Sequence, residues 1–160
     1  MRFWIYKNNL AGGPAGYWGD WPSAFRKKGP VGWGGHYSTT SAEVSRYLDE
    51  VISAGDVVVA YQTDRKVVIG FLRVEQLKPT RRGGSSGLEL QLQPIHLLDP
   101  PWKIHEHKRG TPLESSSAVN GRVMLRELDG DAMKALVSLT GAPARVLQGR
   151  QPPGGWKPVR

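Results

Sequence analysis

The fold is decided by GDVVVAYQT at residues 55–63 and VVIGFLRV at residues 67–74. Both runs are rich in β-branched and aromatic residues, and a short polar turn separates them. We therefore predict strands over Val57–Thr63 and Val67–Leu77, joined as a hairpin. Apolar residues occupy adjacent positions in both runs, which is typical of central strands that are covered on both faces of a sheet.

A helix is predicted immediately before the first of these strands. Thr40-Ser41-Ala42-Glu43 is a capping box, with Thr40 as the N-cap and Glu43 three residues later. The apolar residues that follow have helical spacing: Val44, Tyr47, Leu48, Val51 and Ile52. Gly55 then provides the C-terminal stop.

Shorter patterns predict the remaining elements. Strands are expected at Arg2–Lys7, Leu88–Gln93, Arg122–Arg126 and Val146–Gln148, with a mobile hairpin tip at Arg81–Gly87 and a mostly irregular segment over 97–121. A second helix is expected between an N-cap at Asp129 and a stop at Gly141. Few long helices separate the strands, so we predict an α+β fold: a small curved mixed sheet or pseudo-barrel of about five to six strands with two or more flanking helices. One domain over residues 1–150 and a loose tail at 151–160 are expected.

Composition limits the classes of function. The chain has 160 residues, no cysteine, and 22 Lys and Arg against 14 Asp and Glu, a formal charge of +8. The absence of cysteine excludes disulfides and thiolate metal sites. The charge favours a polyanionic partner, nucleic acid first, although solvated basic turns would give the same total. No stretch resembles a membrane span or a signal peptide, so a cytoplasmic protein without a membrane partner is expected.

Aromatic residues are concentrated where glycine and proline prevent long helices. Between residues 8 and 35 the chain carries Tyr17, Trp18, Trp21, Phe25 and Trp33. A merely flexible linker does not need so many large rings, so this segment is predicted to be packed, with the rings facing the core or a ligand.

Three segments together resemble one family. These are FWIYKN at residues 3–8, WGGHY at residues 33–37, and the run from Gly55-Asp56 to Val74. In this order they resemble the EVE domain, a branch of the PUA-like superfamily that also contains the YTH and ASCH domains. The likeness covers roughly the first half of the chain. It departs from the family at Asn8, where the family usually has Ser, and in the length of the glycine-rich insert.

The resemblance implies a non-enzymatic module, without a cofactor, that holds a flipped, modified base in an aromatic pocket. DNA is favoured over RNA as the partner. By position, the implied base-binding residues are Asn8, Trp18, Trp21, Trp33, His36, Tyr61, Gln62 and Thr63. The implied phosphate-binding residues are Arg81, Arg82, Lys108 and Arg109.

Other interpretations remain open. A small hydrolase or ribonuclease on the same scaffold, as in some ASCH-type relatives, would use Lys7, Tyr61 and the His105-Glu106-His107 segment as acid–base groups. The two histidines would share a face on a strand, but no third metal ligand is evident except Glu114, so a metal site is not expected. A third possibility is a protein-interaction module whose exposed tryptophans face a partner chain.

Overall fold

The computed structural model describes residues 1–10, 17–33, 46, 50–82, 85–121 and 123–159, with the backbone alone described at 17–18, 80–82 and 85–87. These residues form one seven-stranded mixed sheet. The strands are β1 Phe3–Asn9, β2 Tyr17–Trp18, β3 Val31–Trp33, β4 Val57–Gln62, β5 Val67–Arg82, β6 Ser85–Trp102 and β7 Leu125–Leu128. The helices are α1 Trp21–Ala24, α2 Ile104–His107, α3 Ser117–Asn120 and α4 Gly130–Thr140, followed by a 3-10 helix at Ala144–Gln148.

The strand order is β2-β1-β4-β5-β6-β3, and β7 also pairs with β1. Strand β1 runs parallel to β4 on one edge; its other edge is shared by β7 and the short β2. The α+β class with a mixed sheet is confirmed. The described part of the sheet has more strands than predicted because glycine-rich flanks hide the short β2 and β3. No helix in the described part of the chain is long and apolar enough to cross a membrane.

Alternate residues of the two parallel strands supply two separate cores. Ile5 and the β4 residues Val59 and Tyr61 pack with helix α4 in one core, here called the α4 core. Trp4 and Tyr6 pack with helix α1 in the other, the α1 core. All six β4 residues are buried, so the prediction of a central strand covered on both faces is confirmed.

The Gly55-Asp56 pair has a structural role. Gly55 has a φ of 93°, which favours glycine. The buried carboxylate of Asp56 accepts three hydrogen bonds, from Arg2 N at 2.9 Å, Trp4 Nε1 at 2.9 Å and Ser53 N at 3.0 Å. Asp56 therefore joins the start of β1 to the start of β4.

Strands β5 and β6 form a longer hairpin than predicted. Pairing continues to Arg82 and Ser85, where we predict a mobile tip. Strand β6 also extends to Trp102, so the prediction of an irregular chain from residue 97 is wrong for that part. The register shifts at three places along the hairpin, which accommodates the prolines at 94, 100 and 101.

The C-terminal helix begins and ends where predicted. The Asp129 side chain accepts a hydrogen bond from Ala132 N at 2.8 Å, and Gly141 is left-handed. The predicted last strand at Val146–Gln148 is wrong, because these residues lie in the 3-10 helix. The predicted strand at 122–126 is β7, shifted to Leu125–Leu128. Most of the helix predicted from Thr40 lies outside the described residues.

The C-terminal tail contacts helix α1. Trp156 lies 5.8 Å from Phe25, ring centroid to centroid, and its Nε1 donates to Phe25 O at 3.2 Å. Val159 N donates to the same carbonyl at 3.2 Å.

Candidate nucleic-acid interface

The candidate site lies where the parallel strands β1 and β4 end together. Lys7 is paired with Tyr61, and the next pair is Asn8 with Gln62. Because side chains alternate along a strand, the first pair faces the α4 core and the second faces the α1 core. Two groups of polar side chains therefore lie back to back at one end of the sheet.

The first group surrounds Asn8. We call Asn8, Gly19, Trp21, Trp33 and Gln62 the Asn8 cluster. The side chain of Asn8 is fully buried, and its Oδ1 accepts a hydrogen bond from Trp33 Nε1 at 3.0 Å. This bond fixes the orientation of the amide. Its Nδ2 is buried without a hydrogen-bond partner among the described residues. Such a donor is rare in a native protein, since leaving it unpaired costs about 1–3 kcal/mol.

Gly19 allows the chain to pass close to this amide. A Cβ built on Gly19 would lie 3.0 Å from Asn8 Nδ2 and 3.1 Å from the Trp33 ring. Any side chain here would press on both groups. Gly19 N donates to Asn9 O at 3.2 Å, which holds the segment against the end of β1.

Trp33 stacks on Trp21. The ring centroids are 4.5 Å apart and the planes are inclined by 9°. Trp21 is completely buried, packs edge-on against Tyr6 at 5.3 Å, and donates from Nε1 to Tyr6 O at 2.9 Å. Trp33 is only partly buried. Trp21 therefore supports one face of Trp33, which is the outer of the two rings.

Gln62 holds the loop that carries these rings. Its Oε1 accepts from Trp21 N at 2.9 Å, and its Nε2 donates to Gly19 O at 3.1 Å and to Asp64 Oδ1 at 2.7 Å. Both amide protons are used, so Gln62 positions its neighbours. Desolvation alone would raise the pKa of Asp64, but the hydrogen bonds from Gln62 and from the backbone of Leu10 and Asp64, with the charge of Arg65, lower it.

Thr63 follows directly. Its backbone N donates to Asn8 O at 2.8 Å, while its Oγ1 is buried without a partner among the described residues. The end of the sheet therefore holds a second unused polar atom near Asn8.

The second group lies on the opposite face. We call Lys7, Tyr61, Lys66, His105 and Lys108 the His105 cluster. Tyr61 Oη lies 2.9 Å from His105 Nε2, and Lys7 Nζ lies 5.9 Å from the centre of the Tyr61 ring. Burial raises the pKa of Tyr61 to about 12, so its hydroxyl stays protonated at neutral pH.

Lys7 is anchored by backbone carbonyls. Its Nζ donates to Val119 O at 3.3 Å and to Gly121 O. Burial, and to a lesser degree the charge of Arg126, lower the pKa of Lys7 to about 8. Burial also lowers the pKa of His105, and the positive charges of Lys108, Lys66 and Lys7 add to that effect.

The two histidines of the HEH segment diverge. They lie on the helical turn α2 and not on a strand, so the two side chains do not share one face. His105 meets Tyr61, whereas His107 stacks on Trp102 with centroids 5.4 Å apart. Glu114 instead accepts from Gly110 N at 2.7 Å. Within the described ranges, no three His, Asp or Glu side chains are grouped to hold a metal ion.

The remaining candidates are placed less completely. His36 lies outside the described residues. Trp18 is described in its backbone, beside Asn9 in the sheet, and Arg81 and Arg82 only in the backbone of β5. Lys108 binds Asn120 Oδ1 beside α2, and Arg109 is exposed.

The sequence resemblance places Tyr61 and Gln62 in one group and does not single out Gly19. The alternation of side chains along β4 would have separated Tyr61 from Gln62. Gly19 is one of many glycines in its segment, and its approach to Asn8 has no local sequence signal. Lys66 has a left-handed backbone with a φ of 55°, which its sequence does not predict.

The fold is shared with several solved structures. Neither a protein-family model nor a curated protein matches the sequence. A protein from Agrobacterium tumefaciens has a TM-score of 0.64 at 14% identity, covering 95% of this chain and 99% of that one. Human THYN1 protein, solved in complex with DNA containing 5-methylcytosine, has a TM-score of 0.63 at 11% identity, covering 88% and 98%. The DUF55 domain of human thymocyte nuclear protein 1 has a TM-score of 0.63 at 13% identity, covering 88% and 99%.

These likenesses extend over nearly the whole of each solved chain, so they concern the complete fold. At such low identity they show that the architecture is shared, but they do not show that the side chains of a site are shared. The mixed sheet and its flanking helices agree with what the EVE resemblance implies for the fold. The chain therefore shares its fold with these solved structures, the DUF55 domain of human thymocyte nuclear protein 1 among them.

Proposed function

We propose that this chain binds nucleic acid and holds one modified base, 5-methylcytosine in DNA first, at the Asn8 cluster. The observation that carries the proposal is the buried Asn8 Nδ2, which has no partner among the described residues and lies beside Trp33. The human structure with 5-methylcytosine DNA, which shares this fold, supports the choice of ligand.

The chemistry of the cluster suits a cytosine. Because Trp21 covers one face of Trp33, a base would stack on the opposite face, which contributes about 1–3 kcal/mol. Asn8 Nδ2 would donate to O2 or N3 of the base, both of which are acceptors. The hydrogen bond to Asn8 would select a cytosine, because O2 and N3 are present with or without the methyl group, and contact with the methyl group would add modest selectivity for 5-methylcytosine.

The test is a titration of the parent protein with oligonucleotides that carry one 5-methylcytosine, one 5-hydroxymethylcytosine or unmodified bases, in DNA and in RNA. The informative variant is Asn8→Asp. It keeps an oxygen that accepts from Trp33 Nε1 but removes the unused donor. We expect affinity for oligonucleotides with the preferred base to fall about tenfold or more, with little change for an oligonucleotide that lacks cytosine. Gln76→Glu makes the same amide-to-acid exchange at an exposed position of β5 and serves as the control.

Equal affinity of the parent for every oligonucleotide would contradict the proposal and leave only a nonspecific basic surface. Absence of binding even at low salt would favour a protein-interaction module. Cleavage of the RNA, or of an acylated nucleoside, would favour the hydrolase on the same scaffold.

A further inference from the structure

We infer that the His105 cluster anchors a backbone phosphate of the bound nucleic acid, next to the nucleotide held at the Asn8 cluster. This inference rests on the proposed function. It concerns the face of the sheet that the base does not occupy, and it identifies Lys66, His105 and Lys108 as the groups in contact with the phosphate.

The groups of the His105 cluster come from separate elements. Lys66 lies in the β4–β5 turn, and His105 and Lys108 lie in α2 and at its C-cap. The turn is closed by a bond from Lys66 N to Thr63 O at 3.1 Å, directly beyond the strand that carries Tyr61. His105 and Lys108 are three residues apart on one helical turn and therefore face the same way.

Positive charge predominates around His105. Cations alone shift the pKa of His105 by electrostatics, namely Lys108, Lys66 and Lys7, with Tyr61 as the neutral partner. The nearby carboxylates are engaged elsewhere. Asp64 is bound to Gln62 and Leu10, Glu106 lies 3.8 Å from Lys103, and Glu114 accepts from Gly110. The cluster therefore lacks a counter-anion among the described residues, and a phosphate would supply one.

The His105 cluster offers hydrogen-bond donors to a ligand. In its Nδ1–H tautomer, neutral His105 accepts at Nε2 from the protonated Tyr61 hydroxyl and offers Nδ1–H as a donor for a ligand. His105 and Lys66 are exposed, and Lys108 is partly so. An imidazole and two ammonium groups at a solvent-exposed site suit a singly charged phosphodiester.

The His105 cluster and the Asn8 cluster adjoin each other across strand β1. Lys7 and Asn8 are consecutive residues of β1 and point to opposite faces at the same end of the sheet. A strand of nucleic acid that crosses this end can place a base on one side and an adjacent phosphate on the other.

The experiment compares phosphodiester DNA carrying one 5-methylcytosine with DNA in which a single flanking linkage is a neutral methylphosphonate, placed on either side. The variants are Lys66→Asn, His105→Gln and Lys108→Gln. Asn tolerates the left-handed backbone at residue 66. Lys134→Gln, exposed on α4, removes the same charge away from the cluster and is the control.

We expect each cluster variant to weaken binding of phosphodiester DNA about three- to tenfold relative to the control at equal salt. A methylphosphonate on one of the two sides should weaken DNA binding by the parent to a similar degree. The same methylphosphonate should cause no further loss of affinity in the cluster variants. A bound phosphate favours protonated His105, so affinity should rise as pH falls from 7.5 to 5.5. His105→Gln should abolish that rise.

The anchor would be contradicted if the cluster variants bound DNA with the same affinity as Lys134→Gln. It would also be contradicted if the loss of affinity in the variants added fully to the loss caused by the methylphosphonate. The anchor would also be contradicted if inorganic phosphate shifted the NMR signals of His105 but DNA did not. The two proposals fail separately. If the parent prefers the modified base but the variants of the His105 cluster bind DNA as the control does, only the phosphate anchor is wrong. If the parent shows no base preference but the cluster variants still weaken binding, only the base site is wrong.

Discussion

At the scale of single residues, buried polar side chains in this protein fall into two kinds. Asp56 is buried and fully used, with three N–H donors on one carboxylate. Asn8 is buried as well, but only its Oδ1 has a hydrogen-bond partner among the described residues, and its Nδ2 has none. A polar group of the first kind stabilises the fold, and one of the second kind reduces stability unless a ligand completes it.

Replacing Asp56 therefore tests the first kind. Asp56→Ala leaves the donors of Arg2, Trp4 and Ser53 without their acceptor, and we expect the free energy of unfolding to fall by about 3 kcal/mol. Urea denaturation followed by tryptophan fluorescence measures it. Asp56→Asn keeps one acceptor oxygen and should cost less. A loss below about 1 kcal/mol in the Ala variant would show that water replaces the carboxylate.

Lys7 gives a prediction in pH. Its pKa is lowered by burial, and further by Arg126, to about 8 from 10.5. Between these values the unfolded chain holds a proton that the folded chain has lost, so the free energy of unfolding rises with pH across this window. Tyr61 has the opposite effect from pH 10 to about 12, because the unfolded chain then ionises first.

The measurement is urea unfolding of the parent and of Lys7→Met between pH 7 and pH 10. Other titrating groups contribute equally to both proteins, so the difference isolates Lys7. We expect the parent to gain stability relative to the variant above pH 8. A constant difference across the range would show that the ammonium group of Lys7 is as well solvated in the folded protein as in the unfolded chain.

At the scale of elements, Gly70 marks a place where β5 packs tightly against β6 and the C-cap of helix α1. A Cβ on Gly70 would lie 2.4 Å from His96 O and 2.8 Å from the Phe25 ring. The carbonyl belongs to the backbone and cannot move aside without disturbing the sheet. The Ile-Gly pair of the sequence is thus explained by packing.

Gly70→Ala should lower the free energy of unfolding by about 1–3 kcal/mol, since the methyl group overpacks a tight contact. Gly130→Ala is the matched control, because nothing lies within 4 Å of its added Cβ. We expect that variant to match or slightly exceed the parent in thermal denaturation. Equal melting temperatures for both variants would mean that β6 shifts freely at His96.

Elements were predictable from the sequence where local chemistry alone determines them. Helix α4 is bounded by a side-chain cap at Asp129 and a left-handed Gly141, and both act within a few residues. Strand β4 is apolar over its length. The extension of β6 was not predictable, because prolines at 94, 100 and 101 disfavour strand pairing and only the partner strand with its register shifts accommodates them. The cluster residues come together through such long-range pairing.

At the scale of the whole molecule, the C-terminal tail is tied to the N-terminal aromatic segment. Trp156 and Val159 both bond to Phe25 O, at the C-cap of the helix that begins with Trp21. The tail therefore stabilises helix α1, whose Trp21 packs against Trp33.

Trp156→Ala should lower the free energy of unfolding by about 2 kcal/mol, less than for a fully buried Trp because this ring is partly exposed. We also expect the fluorescence of the remaining tryptophans to respond to urea at lower concentration. Lys157→Ala, at an exposed neighbouring position, is the control. Identical unfolding curves for the two variants would show that the tail does not brace α1.

The pairing of Lys7 with Tyr61 and of Asn8 with Gln62 constrains how this protein can change. Deleting or inserting one residue in β1 would turn the lysine toward the tryptophans and the asparagine toward the histidine, exchanging the contents of both faces at once. Substitutions can alter either cluster separately, but length changes in this strand cannot. An engineer who wishes to change the base proposed to bind at the Asn8 cluster should therefore keep the spacing of β1 fixed and vary the loop that carries Gly19.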